Sequence, residues 1–294
     1  MESFNIILAA DDGYHLDFLP LASAGWRKFF PEFEISLVIV GDRDWAEYWS
    51  FCSKWVDQLE VVRPIEDESI PNQCKIARMW YAGKHSKKAC TIHDIDFAPL
   101  QRGFYRDKYV NWKPAHFMSM GKEVYGTDTN EHGKTPMSAM TAESWLWRWL
   151  VNPINLSFEE MFWHYASPHA LTANDMRELT PVSNFSDESL MRPLMKQLNP
   201  SVHIEIPRGY HIWTDTLDRA AWKPDRVKLW AEGYYEAHMH KVNTQWERDR
   251  CHIVAEFLGV ADEWQDGKHW TDLTSQWDGI RVSDPDPCPE ATNV

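Results

Sequence analysis

No stretch of the 294-residue chain approaches the run of about 20 apolar residues that a membrane-spanning helix needs. Stable membrane insertion is therefore not expected. The N-terminus, MESFNIILAADDG, lacks a basic leader and meets acidic residues almost at once, unlike a secretory signal. Cysteine is scarce: Cys52, Cys74, Cys90, Cys251 and Cys288 are odd in number and widely scattered. They make neither a disulfide framework nor a zinc spacing, so a reducing cytoplasm is the expected compartment. Positive charge is also short, with 30 Lys and Arg against 44 Asp and Glu and a net charge of −14. That balance argues against a general nucleic-acid binder. Neither an internal repeat nor a low-complexity linker divides the chain.

What is present is a core. Hydrophobic residues make up 44% of the chain, enough for one large domain or a domain with an appendage. Short apolar runs, FNIILAA, FEISLVIV, LEVVRPI and ACTIHDID, alternate with segments of helical spacing, LASAGWRKFF, WAEYWSFCSKW and NQCKIARMWYAGK. This order predicts an α/β fold, a mostly parallel sheet with helices on both faces. Beyond residue 100, HFMSM and SVHIEIP read as strands, TAESWLWRWL as a helix, and FSDESLMRPLMKQL as a helix interrupted near Pro193. From Pro224 to Val260 the pattern reads as a long helical stretch broken at Gly233. The expected division is a domain over 1–223, a helical extension over 224–280 and a loose tail over 281–294.

In such sheets ligands bind at the carboxyl ends of the strands. Here those ends carry Asp11 and Asp12, then Asp42, then Asp94 and Asp96. In extended chain, Asp94 and Asp96 point to one side while Ile95 and Phe97 point to the other and anchor the backbone. Two carboxylates so placed suit a hard divalent cation. Residues 71–140 are the one basic segment of the chain, at net +5, where the segments before and after carry −9 and −10. A cation site inside a basic segment points to an anionic, phosphate-bearing ligand. Seventeen tryptophans supply aromatic faces of the kind that stack on sugars, although most belong to the core.

A strand-end Asp-x-Asp in this setting resembles the nucleotide-sugar glycosyltransferases of the GT-A fold. The likeness is carried by NQCKIARMWYAGKHSKKACTIHDIDFAPL and runs on into KTPMSAMTAESWLWRWL and FSDESLM, over residues 4 to 215. The chain departs from one retaining group, whose His-x-x-Gly-x-x-Lys-Pro-Trp signature is reduced in HIWTDTLDRAAWKPD to His211 and a displaced Lys-Pro. Retention or inversion is therefore left open.

The resemblance implies a metal-dependent transferase that moves a sugar from a nucleotide donor, a UDP-sugar first, to a hydroxyl acceptor. Asp94 and Asp96, with His211 as a third ligand, would hold Mn²⁺ or Mg²⁺ against the donor diphosphate. Lys75 and Arg78, one helical turn apart, would contact phosphate or sugar. Ala10, Asp11, Asp12 and Tyr14 after the first strand, and Asp42 after the second, would grip base and ribose. Asp187 and Glu188 are the candidate general bases, although the same residues also make a good helix start. PMSAM around Met137 would line the sugar pocket. The acceptor could be a glycan, a lipid-linked glycan, a protein or a modified DNA base. Competing readings are a nucleotidyltransferase, a phosphatase of the haloacid-dehalogenase type, and a non-catalytic carbohydrate-binding or assembly protein. The phosphatase reading is disfavoured because its acidic pair belongs on the first strand.

Overall fold

The computed structural model describes residues 4–84, 89–120, 137–166, 187–206, 216–217, 224–239, 245–265, 269–271 and 273. The four expected apolar runs form β1 (Phe4–Asp11), β2 (Glu34–Val40), β3 (Gln58–Val62) and β4 (Ala89–Ile92). Between them lie α1 (Leu19–Phe29), α2 (Trp45–Cys52) and α3 (Ile70–Lys84). Next come β5 (Phe97–Pro99), α4 (Arg102–Tyr109), β6 (Phe117–Met120), β7 (Met140–Glu143), α5 (Ser144–Val151) and α6 (Phe158–Ala166). The last described elements are α7 (Asp187–Lys196), β8 (His203–Ile206), β9 (Thr216–Leu217), α8 (Arg226–Trp230), β10 (Glu236–His238), α9 (Gln245–Leu258) and α10 (Ala261–Gln265).

The main sheet has seven strands in the order β3-β2-β1-β4-β7-β6-β8. It is mixed and mostly parallel: only the β4–β7 and β7–β6 pairings are antiparallel. β1 lies at its centre and shows why the sheet must be covered twice. Phe4, Ile6, Leu8 and Ala10 enter one core with Trp26 of α1 and Tyr48 and Cys52 of α2. Ile7 enters the other core, with Ile76, Ala77 and Met79 of α3 and Trp147 of α5. Alternate residues of one strand thus feed two layers, as a doubly wound α/β sheet requires.

A second, three-stranded sheet, β5-β10-β9, stands beside the first. It lies close over α1, and Gly25 is the reason it can. A Cβ there would meet the Pro99 carbonyl oxygen at 2.8 Å, so any larger residue would push β5 off the helix.

Two expectations give way. The stretch from 224 to 260 is not one broken helix: α8 ends at Trp230, β10 pairs antiparallel with β5, and the next described helix starts at Gln245. Leu229, Ala237, Cys251, Val254, Leu258, Trp264 and Trp270, all beyond 223, are buried in the same core as α1 and β1. The second departure is α7, which continues through Pro193 to Lys196. The tail from 281 lies outside the described residues.

Candidate donor and metal site

Strand order reverses direction at β1. From there the chain winds outward through β2 and β3, then crosses to β4 on the other side. That switch opens a crevice at the carboxyl ends of β1 and β4, where open α/β sheets bind ligands. Asp11 ends β1, and His93, Asp94, Ile95 and Asp96 follow β4. The acidic pair is therefore at the switch point, although not on the strand itself. β4 stops at Ile92, and the Phe97 amide donates to the Asp94 carbonyl at 3.2 Å, closing a turn. The expected division of sides survives: Ile95 and Phe97 are buried, and Asp94 and Asp96 are partly open to solvent.

Each carboxylate has a charged or chargeable partner. Arg78, buried on α3, donates from a guanidinium N–H to Asp94 Oδ1. Burial pushes the Asp94 carboxyl up, but the Arg78 guanidinium, helped by His93 and His238, outweighs it and holds the group at about 2. Asp94 is thus an anion at neutral pH. Asp96 Oδ2 lies 3.2 Å from His238 Nε2, and the Asp96 carbonyl accepts from the Met239 amide at 2.7 Å. The His238 ring stacks on Phe97 at 4.1 Å and 14°.

Two carboxylates and an imidazole are suitable donors for Mn²⁺ or Mg²⁺. Among the described residues no three His, Cys, Asp or Glu side chains already converge as a cation cage. The donor chemistry fits, and Arg78 holds part of it. His211, the expected third ligand, lies outside the described residues. His238 was missed because EAHMH sits in a sequence of helical composition. The available signal was the period-two spacing of His238 and His240.

The expected nucleotide residues divide. Ala10 is buried in β1. Asp11 Oδ1 is 3.0 Å from His15 Nδ1. Asp12 turns to the opposite face, where Arg43 Nε donates to it at 3.0 Å and Trp270 Nε1 at 2.9 Å. Burial raises the Asp12 carboxyl above its ordinary value, with Arg43 and Trp270 pulling the other way. Tyr14 opens a short 3-10 turn, and its side chain is outside the described set. Asp42 is exposed in the loop after β2. Lys75 lies one turn from Arg78 on α3 and reaches Asn72 Oδ1 at 3.4 Å. Asp187 and Glu188 form the first turn of α7, with side chains outside the described set. Met137 and Ser138 are buried beside His93 and the end of β4, and Ala139 takes a positive φ of 63°.

No family model matches the chain, and no curated protein matches it. Solved structures do resemble it. One is the galactosyltransferase LgtC, determined with donor and acceptor sugar analogues, at 13% identity and a TM-score of 0.49, covering 90% of this chain and 99% of that one. Another is the glycosyltransferase GlyE of Streptococcus pneumoniae, at 9% identity and a TM-score of 0.48. It covers 90% of this chain, which spans 63% of that one. The apo form of GlyE gives a TM-score of 0.46. The proteins it resembles in fold are glycosyltransferases. With identities this low and TM-scores under 0.5, what the site does has to be argued from its own residues. Among the described residues, no helix is long and apolar enough to cross a membrane.

Proposed function

We propose that the chain is a metal-dependent glycosyltransferase that uses a nucleotide-sugar donor, a UDP-sugar first, and a hydroxyl acceptor. The observation that carries this reading is the position of an ionised Asp94 at the β1/β4 switch point, with Arg78 on one side and the Asp96–His238 pair on the other. Asp94, Asp96 and His238 would hold Mn²⁺ or Mg²⁺. When bound, that ion neutralises the charge of a nucleoside diphosphate and makes it a better leaving group.

The remaining roles belong to the chain. Arg78, and Lys75 one turn away, supply positive charge on the α3 face for phosphate or sugar oxygens. Arg78 now pairs with Asp94, and with a cation held there its guanidinium would be available to an anionic donor. The ends of β1 and β2, with Asp11, Asp12 and Asp42, offer acceptors for base and ribose hydroxyls. α7 packs against α3, and Asp187 or Glu188 in its first turn would be the carboxylate base that deprotonates the acceptor.

Calorimetric titration with UDP, with and without Mn²⁺, tests this in wild type, Asp94→Asn and Asp96→Asn. Metal-dependent binding in wild type that is lost in both variants supports the site. Nucleotide binding that ignores both metal and substitution refutes it. Sugar transfer is then followed with UDP-sugars and candidate glycan acceptors.

A further inference from the structure

Directly behind the acidic turn lies a buried polar cluster. His93, Tyr105, Ser138 and Glu236 are all nearly inaccessible to solvent. They come from four separate places: the end of β4, helix α4, the segment before β7, and strand β10. The Tyr105 hydroxyl donates to Glu236 Oε2 at 2.5 Å. His93 Nε2 lies 3.3 Å from the Tyr105 hydroxyl and 3.3 Å from Ser138 Oγ. On its other edge, His93 Nδ1 lies 3.2 Å from the Asp94 carbonyl oxygen. With the Tyr105 proton directed at Glu236 and the Ser138 hydroxyl donating to Nε2, Nδ1–H is left to donate to Asp94.

A buried carboxylate and imidazole are costly, and well-packed apolar residues would often hold a core as well or better. The location argues for a use. The Asp94 carbonyl that faces His93 is the one that closes the 94–97 turn through the Phe97 amide. Phe97 sets its edge against His93 at 5.8 Å and 79°, and its face against His238. Glu236 sits two residues before His238 on β10, so both side chains leave the same side of that strand. Trp26 closes His93 in from a further side at 5.2 Å and 81°. The ring therefore has little freedom, and the turn it holds carries both carboxylates.

We propose that His93 is a positioning residue: clamped by Ser138 and the Tyr105–Glu236 pair, it fixes the acidic turn and the adjoining His238 for a divalent cation with its diphosphate. This rests on the proposed function. Outer partners of metal ligands typically alter metal affinity by about 10- to 100-fold.

The test compares Mn²⁺-dependent UDP binding, metal-free UDP binding and melting temperature in wild type, His93→Asn, His93→Gln, His93→Ala and Tyr105→Phe. The Asn amide nitrogen falls where Nδ1 stands and the Gln amide where Nε2 stands, so the two are matched in polarity and differ in reach. The expected result is a loss of about 10-fold or more in Mn²⁺–UDP affinity for Gln, Ala and Tyr105→Phe. Asn should recover to within about 3-fold of wild type, and metal-free binding should move by less than about 2-fold throughout. If His93→Ala or Tyr105→Phe fails to fold, the Asn–Gln pair still decides. Equal losses in Asn and Gln, or no loss in either, overturn the positioning role. Absence of Mn²⁺–UDP binding in wild type overturns the proposed function first, and this inference with it.

Discussion

Trp270 offers the sharpest test of the architecture, because it ties residues near the C-terminus to the end of the first strand. Its side chain is fully buried and stacks on Tyr48 at 5.3 Å and 25°, with Phe51 at 5.5 Å. Its N–H reaches Asp12, and Thr271 beside it donates from both N–H and Oγ1 to Asp17. Replacing a buried Trp by Ala costs about 3–5 kcal/mol in lost transfer energy and cavity. Losing a hydrogen bond to a carboxylate adds roughly 1–2 kcal/mol, less whatever water returns to the space. At about 2 °C per kcal/mol for a chain of this size, Trp270→Ala should melt on the order of 10 °C below wild type. Trp270→Phe keeps most of the packing and loses the donor, so it should cost about 2 kcal/mol.

The Phe variant also carries a pH signature. Trp270 and Arg43 pull down an Asp12 pKa that burial has raised. Without the indole donor the folded-state pKa climbs further, so the extra cost falls on the ionised carboxylate. The stability gap between wild type and Trp270→Phe should widen as pH rises through the Asp12 pKa and narrow in acid. Urea unfolding across pH reads this directly. A Trp270→Ala protein that melts within about 2 °C of wild type would refute docking of this segment on β1.

Three further outcomes follow from other contacts. At Gly41 an added Cβ would lie 1.9 Å from the Tyr48 hydroxyl and 2.9 Å from its Cζ. Because Tyr48 is fully buried, Gly41→Ala should destabilise by about 1–3 kcal/mol or more in thermal melts. Gln73 orders the loop after β3, accepting from Ile65 N at 2.8 Å and donating to the carbonyls of Ile65 at 3.0 Å and Glu68 at 3.1 Å. Gln73→Leu should cost roughly 2–3 kcal/mol and speed amide exchange at Ile65. Finally, Mn²⁺ with UDP should slow amide exchange at Phe97 and Met239, whose N–H groups bond to the Asp94 and Asp96 carbonyls. Protection confined to α3 and β4 would count against His238 as a ligand.

The legible part of the fold was the part that buries continuous apolar runs. β1 to β4 and the helices between them were readable because strands covered on both faces must be apolar throughout. Thr141–Glu143 read as the start of a helix, yet they belong to β7, paired antiparallel with β4 and joined to it by the buried Thr91–Thr141 hydrogen bond at 2.8 Å. β10 was hidden for a related reason. Glu and Ala favour helix locally, and its three residues become a strand by pairing with β5, far away in sequence, and with β9. Arg78 was legible as a cation on the right helix face. The link from Asp12 to Trp270, by contrast, spans 258 residues and leaves no periodic trace.

These two blind spots share a consequence for the site. The turn from Asp94 to Phe97 begins where a strand of the large sheet ends and finishes where a strand of the small sheet begins. Arg78 approaches it from α3, on one face of the large sheet. His238 approaches it from β10, inside the small one. The acidic pair, readable from the sequence as a strand end, is in fact the joint between two sheets, with one partner from a helix on the large sheet and the other from a strand of the small one. Two adjacent carboxylates are costly to hold together. Placed at this joint, they would let the proposed cation hold the two sheets in a single geometry, which a pair on one uninterrupted strand could not do.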